Sequence, residues 1–385
     1  MNTRKLKPDT GHRIAAALLA LALLCLAAGA TAGGAGAARS RPPAAHSHGK
    51  HRHPALREPR PRKQRPIYWG AWIGDQLTGS PPPWDMSAVS QFERRLGKGL
   101  SLIEFASPFA DCSSTPCSFY RFPTSAMEAI RGYGAIPVLS WSSASTPAEV
   151  SLPDFQLSDV IGGAYDAYIR QFAAEAAAWE HPFFLRYDWE MNGNWFPWSE
   201  GVNGNKPGEF VAAWHHVHDL FREAGATNAT WVWCPYADSS HRYKSLKRYW
   251  PGAAYVDWTC LDGYNFSKTP VNPHPWMSFD DIFAPSYRTI VRRIAPKKPM
   301  LIGETASNGI GNGKADWISR MFSALPSDYG RVRGLIWFDQ MDRGINWPLE
   351  TSRAVTRSFA RGVRQAAFRA NHYGSIAGSP VRPPR

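Results

Sequence analysis

Two glutamates stand where apolar runs give way to polar loops. The first closes Phe183-Phe-Leu-Arg-Tyr-Asp-Trp-Glu190, which opens into Met191-Asn-Gly-Asn-Trp-Phe-Pro-Trp198. The second closes Pro299-Met-Leu-Ile-Gly-Glu304. In a parallel α/β barrel the chemistry gathers at the C-terminal ends of the strands, so two such carboxylates can face each other across one cleft. A carboxyl pair suits cleavage of a glycosidic bond: one group protonates the departing oxygen while the other attacks the anomeric carbon or activates water. Trp189, Trp195 and Trp198 add flat apolar faces on which sugar rings stack. The competing reading of Glu190 is an ion pair with Arg186. Glu104 is a weaker claimant to the chemistry, and Asp188 reads as a supporting group, since strand alternation turns it away from Trp189.

Such a pair needs a scaffold, and from Ile67 onward the chain supplies a repeated βα rhythm. Apolar runs fall near Ile67–Ile73, Leu100–Phe105, Ile136–Trp141, Phe183–Tyr187, Thr230–Cys234, Tyr255–Gly263, Met300–Gly303 and Gly334–Phe338. Eight strands with helices between them predict one α/β domain, a single (β/α)8 TIM barrel over residues 67–370. Asp85 is placed to cap the first helix, which Gly97 to Gly99 break. Ser158 is placed to open a long helix through Ala164, Tyr168, Phe172 and Ala176. Pro207 starts the next, which Gly225 ends. Ser286–Ala295, Lys314–Leu325 and Ser352–Ala370 complete the outer ring. The tail, residues 371–385, ends in Pro-Val-Arg-Pro-Pro-Arg385 and reads as loose.

The 385 residues carry a formal charge of +13. Residues 1–32 hold +3 of it and the segment from Arg39 to Pro66 holds +8, which leaves +2 for the folded part. A nucleic-acid-binding domain is therefore not expected. Residues 1–32 join a basic start to the apolar run Ile14 to Ala30 and the small residues Ala30-Thr-Ala32, which reads as a signal peptide and predicts a secreted, extracellular protein with no stable membrane insertion after cleavage. Residues 33–66 are rich in Pro, Arg and His and cannot bury a core. They read as a disordered spacer whose charge could also hold the protein to an anionic cell envelope.

Beyond Cys25 in the signal, four cysteines remain, an even number in an exported chain. Cys112 and Cys117 bracket a short loop and are expected to pair, leaving Cys234 with Cys260. His215 and His218 share a helix face without a carboxylate partner nearby, so no metal site is expected. No cofactor is implied.

Taken together, Trp189-Glu-Met-Asn-Gly-Asn-Trp-Phe-Pro-Trp198, Ile302-Gly-Glu304 and Gly334-Leu-Ile-Trp-Phe338 resemble glycoside hydrolase family 26, the β-mannanase family of a large clan of retaining barrels. The likeness runs from about Ile67 to about Ala370. It implies Glu190 as acid/base at the end of the fourth strand and Glu304 as nucleophile at the end of the seventh. It further implies Trp337 as the floor of the subsite where the bond breaks, and Tyr264 as a hydrogen-bond donor to the nucleophile. Trp198, Trp195, Trp189, Asn192, Arg186 and Trp141 complete the expected sugar contacts. One departure stands out: family mannanases usually carry His before the acid/base, where this chain has Trp189. The expected activity is endo-hydrolysis of β-1,4-mannan, with a β-glucanase, a β-xylanase or a non-catalytic polysaccharide-binding barrel as alternatives.

Overall fold

The computed structural model describes residues 65–238, 245–267, 275–308, 313–342 and 344–385. The signal segment 1–32, and the spacer up to Gln64, lie outside them. Eight strands, β1 (Ile67–Ile73), β2 (Leu102–Asp111), β3 (Ile136–Thr146), β4 (Phe183–Tyr187), β5 (Ala229–Trp233), β6 (Trp258–Asn265), β7 (Met300–Ser307) and β8 (Val332–Asp339), pair in parallel in chain order. Tyr68–Ile73 pair in turn with Gly334–Asp339, which closes the sheet into the expected barrel. Strands covered on both faces need apolar side chains on both. Accordingly every residue of β1, β3, β4, β5 and β7 is buried.

Several strands outrun their apolar signal. β3 continues through Ser142, Ser143 and Ser145 to Thr146, and β7 continues through Glu304 to Ser307. Polar residues can prolong a strand when a neighbouring ladder accepts their backbone, as Pro108–Asp111 of β2 does for the end of β3. Glu304 therefore lies inside a strand. The register shifts beside it on both sides, between Leu261 and Asp262 in β6 and between Ile302 and Thr305 in β7, and such shifts re-aim side chains near active sites.

The outer ring comprises α1 (Ser87–Leu96), α2 (Thr124–Tyr133), α3 (Leu157–Ile161), α4 (Asp166–Trp179), α5 (Glu209–Glu223), α6 (Phe279–Thr289), α7 (Gly313–Asp328) and α8 (Arg353–Val363). Asp85 accepts the Ser87 N–H at 2.9 Å, and Gly97 ends α1 at φ 70°. The long helix expected from Ser158 is two, parted at Gly162-Gly163 because Gly163 takes φ 85°, which no right-handed helix accommodates. α6 starts ahead of Ser286 because Ser278 and Asp281 form a reciprocal cap. α8 stops at Val363, short of Ala370, and the chain then lays Phe368–Arg369 beside β1. Between β5 and β6 the described residues hold a 3₁₀ turn, Leu246–Tyr249.

The tail is not loose. Val381 is buried, donates its N–H to Thr230 Oγ1 at 2.8 Å and accepts the Trp258 indole N–H at 2.8 Å, while Tyr68 donates to the Arg382 carbonyl at 2.9 Å. Buried donors at the lower end of the barrel need acceptors, and the tail carbonyls supply them.

Candidate active site

β4 ends at Tyr187, and the backbone then turns left-handed at Asp188 (φ 42°) and again at Glu190 (φ 54°). Non-glycine residues rarely adopt this region, and such strain gathers at functional sites. The turn is tied down: the Glu190 N–H donates to the Cys234 carbonyl at 2.7 Å, and Asp188 accepts the N–H and hydroxyl of Ser143 at 2.8 and 2.6 Å. Asp188 thus braces the end of β3. Burial pushes its carboxyl up to about 7.

At the barrel's centre lies Arg186, fully buried. Its guanidinium pairs with Glu104, with Asp262 and, at 3.0 Å, with Glu304, and Ser140 Oγ donates to Glu104 at 2.7 Å. Arg186 was expected to touch sugar; instead its charge is consumed by carboxylates. Tyr264 donates its hydroxyl to the other oxygen of Glu304, as the resemblance implied. Carboxylate oxygens of Glu190, Asp262 and Glu304 all lie within 4.8 Å of one another.

One guanidinium cannot balance four buried carboxyls. Arg186 holds three directly, and Glu190 is held instead by the Trp195 indole N–H at 2.6 Å. Burial first, and then the nearby Glu304, push Glu190 up to about 8, against the opposing pull of Trp195 and Arg186. Burial also raises Asp262 and Tyr264. Glu190, the one carboxyl of the four that Arg186 does not hold directly, is thus pushed toward its protonated form.

The aromatic expectations fare unevenly. Trp337 does not reach the cleft: alternation along β8 turns it outward, where it packs edge-on against Trp317 of α7 and Phe359 of α8, at 6.2 and 5.3 Å. Its neighbour Phe338 faces inward, 5.8 Å from Tyr264. Trp141 also faces outward, stacked on Phe172 of α4 at 4.5 Å. Trp198 is wholly buried; it stacks on Phe196 at 4.4 Å, packs on Trp189 at 5.1 Å and donates to the Trp189 carbonyl. Together with Phe196, the Trp189 and Trp198 rings form one buried cluster rather than an exposed stacking face. Trp189 also lies 5.6 Å from the Arg186 guanidinium. Asn192 exchanges hydrogen bonds with both backbone groups of Tyr236, at 3.0 and 2.8 Å, and so pins the β5 loop.

Three residues of the site escaped the sequence reading. Asp262 sits two before Tyr264, and strand alternation from Tyr264 could have revealed it. Phe338 would have followed from the parity of β8. Trp347 lies in a loop without periodicity; its ring is 5.1 Å from Tyr264 and 5.3 Å from Phe266.

Two disulfides, Cys112–Cys117 and Cys234–Cys260, match the expected pairing. The second joins Cys234, just past the end of β5, to Cys260 within β6 beside Asp262, and only a glycine fits opposite: a Cβ on Gly303 would lie 2.5 Å from Cys260 Sγ and 2.6 Å from Asp262 Oδ1. His215 and His218 pack on Tyr255. Among the described residues no helix is long and apolar enough to cross a membrane.

Comparison with known proteins agrees with this geometry. Residues 156–304 match the profile of glycosyl hydrolase family 26. Endoglucanase H of Acetivibrio thermocellus is 30% identical over 298 residues, covering 76% of this chain and 30% of that protein. Mannan endo-1,4-beta-mannosidase A and B of Caldalkalibacillus mannanilyticus is 31% identical over 157 residues, 39% of this chain and 27% of that protein. The chain thus spans less than a third of either relative. A solved modular endo-beta-1,4-mannanase from Cellulomonas fimi shares the fold, with a TM-score of 0.60 at 17% identity, over 82% of this chain and 76% of that one. The chain is thus similar to glycosyl hydrolase family 26 over residues 156–304, and it carries that segment on a barrel of the same fold as the solved mannanase.

Proposed function

We propose that the protein is a secreted, retaining endo-glycosidase of β-linked polysaccharide, with Glu304 as nucleophile and Glu190 as acid/base. The observation that carries this reading is the approach of the two carboxyls within 4.8 Å with different partners, Arg186 and Tyr264 on Glu304 and the Trp195 indole on Glu190. Retaining enzymes hold their carboxyls about 5–5.5 Å apart, and inverting ones hold them wider to admit water. Glu304, held by Arg186 and Tyr264, attacks the anomeric carbon as the bond to the leaving oxygen breaks. Glu190 gives that oxygen its proton. In the second half Glu190, now a carboxylate, takes a proton from water, which displaces Glu304 and frees a product of the original configuration. A barrel that only binds polysaccharide has no need of this arrangement.

The family resemblance puts β-1,4-mannan first as substrate. A β-glucan is the second reading, supported by Trp189 in place of the usual His and by the likeness to Endoglucanase H along most of the chain. Reducing-sugar release from mannan, mixed-linkage and β-1,4-glucan and xylan separates these readings. Anomeric analysis of the first product tests the mechanism, and an inverted product or inactivity on every β-glycan overturns it. Export by residues 1–32, and envelope attachment through residues 33–66, belong to the same proposal.

A further inference from the structure

Lys314 stands at the start of α7 and is buried, although a helix N-terminus disfavours a cation and burial disfavours a charge. Something must offset both costs. Its ammonium donates to three consecutive carbonyls, those of Asn346, Trp347 and Pro348, at 2.9, 2.8 and 2.7 Å, and lies 5.8 Å from the centre of the Trp337 ring. Asp339 of β8 and Glu350 of the turn after the loop face it with opposite charge, while burial pulls the ammonium down to about 7. The loop is also held from its other side, where Leu349 donates its N–H to Asp339 at 2.7 Å. Trp347, in the middle of the clamped carbonyls, packs on Tyr264, and Tyr264 donates to Glu304.

We propose that Lys314 is a positioning residue: by clamping three carbonyls it fixes Trp347 against Tyr264, and so fixes the tyrosine hydroxyl on Glu304. The proposal rests on the reading of Glu304 as nucleophile. It places a determinant of the reaction rate on the outer helix ring, out of reach of substrate. Trp337, turned outward by the pleat of β8, lies beside the lysine, its ring centre 5.8 Å from the ammonium.

The test uses the full-length protein with Lys314→Met, which retains the apolar stem and removes the donors. Hydrogen exchange followed by mass spectrometry should show faster exchange over 345–349, with the rest of the barrel unchanged. On an activated aryl glycoside of the sugar that the wild type cleaves, kcat should fall tenfold or more with KM within threefold. In a Tyr264→Phe background the same substitution should change kcat by less than twofold, because coupled residues fail to add. Equal losses in both backgrounds, or unchanged exchange over 345–349, overturn the proposal. Should Lys314→Met not fold, Lys314→Gln, with two N–H donors and no charge, takes its place; failure of both to fold overturns it as well, since the lysine would then hold the barrel and not the loop. A wild type inactive on every β-glycan refutes the functional reading, and the exchange comparison alone then decides whether Lys314 holds the loop.

Discussion

Removing Glu190 should leave one half of the proposed reaction intact. General acid–base assistance contributes about 10²–10⁴-fold, so Glu190→Ala should lower polysaccharide cleavage by about that factor, or about 3–5 kcal/mol of barrier. An activated aryloxide needs no proton to depart. Glu304, with Arg186 and Tyr264 untouched, should then form the glycosyl-enzyme from such a substrate at a rate within about tenfold of wild type, and hydrolysis without a base should be slow. Stopped-flow release of the aryloxide should show a burst followed by slow turnover. Azide, which needs no deprotonation, should speed that turnover and give a β-glycosyl azide. The pH dependence follows from burial and the field of Glu304, which hold the Glu190 carboxyl up to about 8. The protonated form is the active one, so wild-type kcat/KM should fall as pH rises through about 8. The burst rate of Glu190→Ala should lose that alkaline limb. Folding should survive: the Trp195 indole loses its acceptor, at a cost of about 1–3 kcal/mol, while removing a carboxyl crowded by Glu304 offsets part of it. Equal loss on both substrates, with no burst and no azide rescue, would refute the assignment and turn attention to Asp188 and Glu104.

Arg186→Met should leave Glu104, Asp262 and Glu304 without their shared cation and lower stability by about 3–5 kcal/mol, read as the shift of the urea midpoint. A midpoint unchanged within error would mean that the cluster is neutralised in some other way. Thiol titration of the unreduced, denatured mature protein should find close to zero groups, because Cys112–Cys117 and Cys234–Cys260 account for all four; two or more reactive thiols would contradict the pairing. Deleting residues 33–62 should leave turnover on a soluble oligosaccharide within about twofold, since composition bars that segment from a packed core. A large fall would place it in contact with the cleft.

Periodicity along the chain was enough to expect the barrel, because strands buried on both faces must be apolar runs and such runs recur eight times between Ile67 and Phe338. It also located Glu190 and Glu304, each at the polar edge of such a run. What composition could not give is direction. Whether Trp337 or Phe338 looks into the barrel depends on the phase of the pleat, and register shifts beside Leu261 and Ile302 alter that phase without any sign in residue type. Trp141 and Trp198 were indistinguishable, by type, from stacking platforms until the packing of α4 and of Phe196 buried them. The tail looked loose because its own residues are polar or Pro-rich; it is held by donors on Tyr68 and Trp258 and an acceptor on Thr230, which lie far away in the chain. Arg186 is the strongest instance. Its neighbours in sequence are Leu185 and Tyr187, yet the partners of its charge are Glu104, Asp262 and Glu304 from three other strands. Local sequence determines which residues can ionise and which segments can be strands, whereas closure of the barrel decides which carboxyls share a cation and which must keep a proton, because burial and charge proximity act through space and not along the chain.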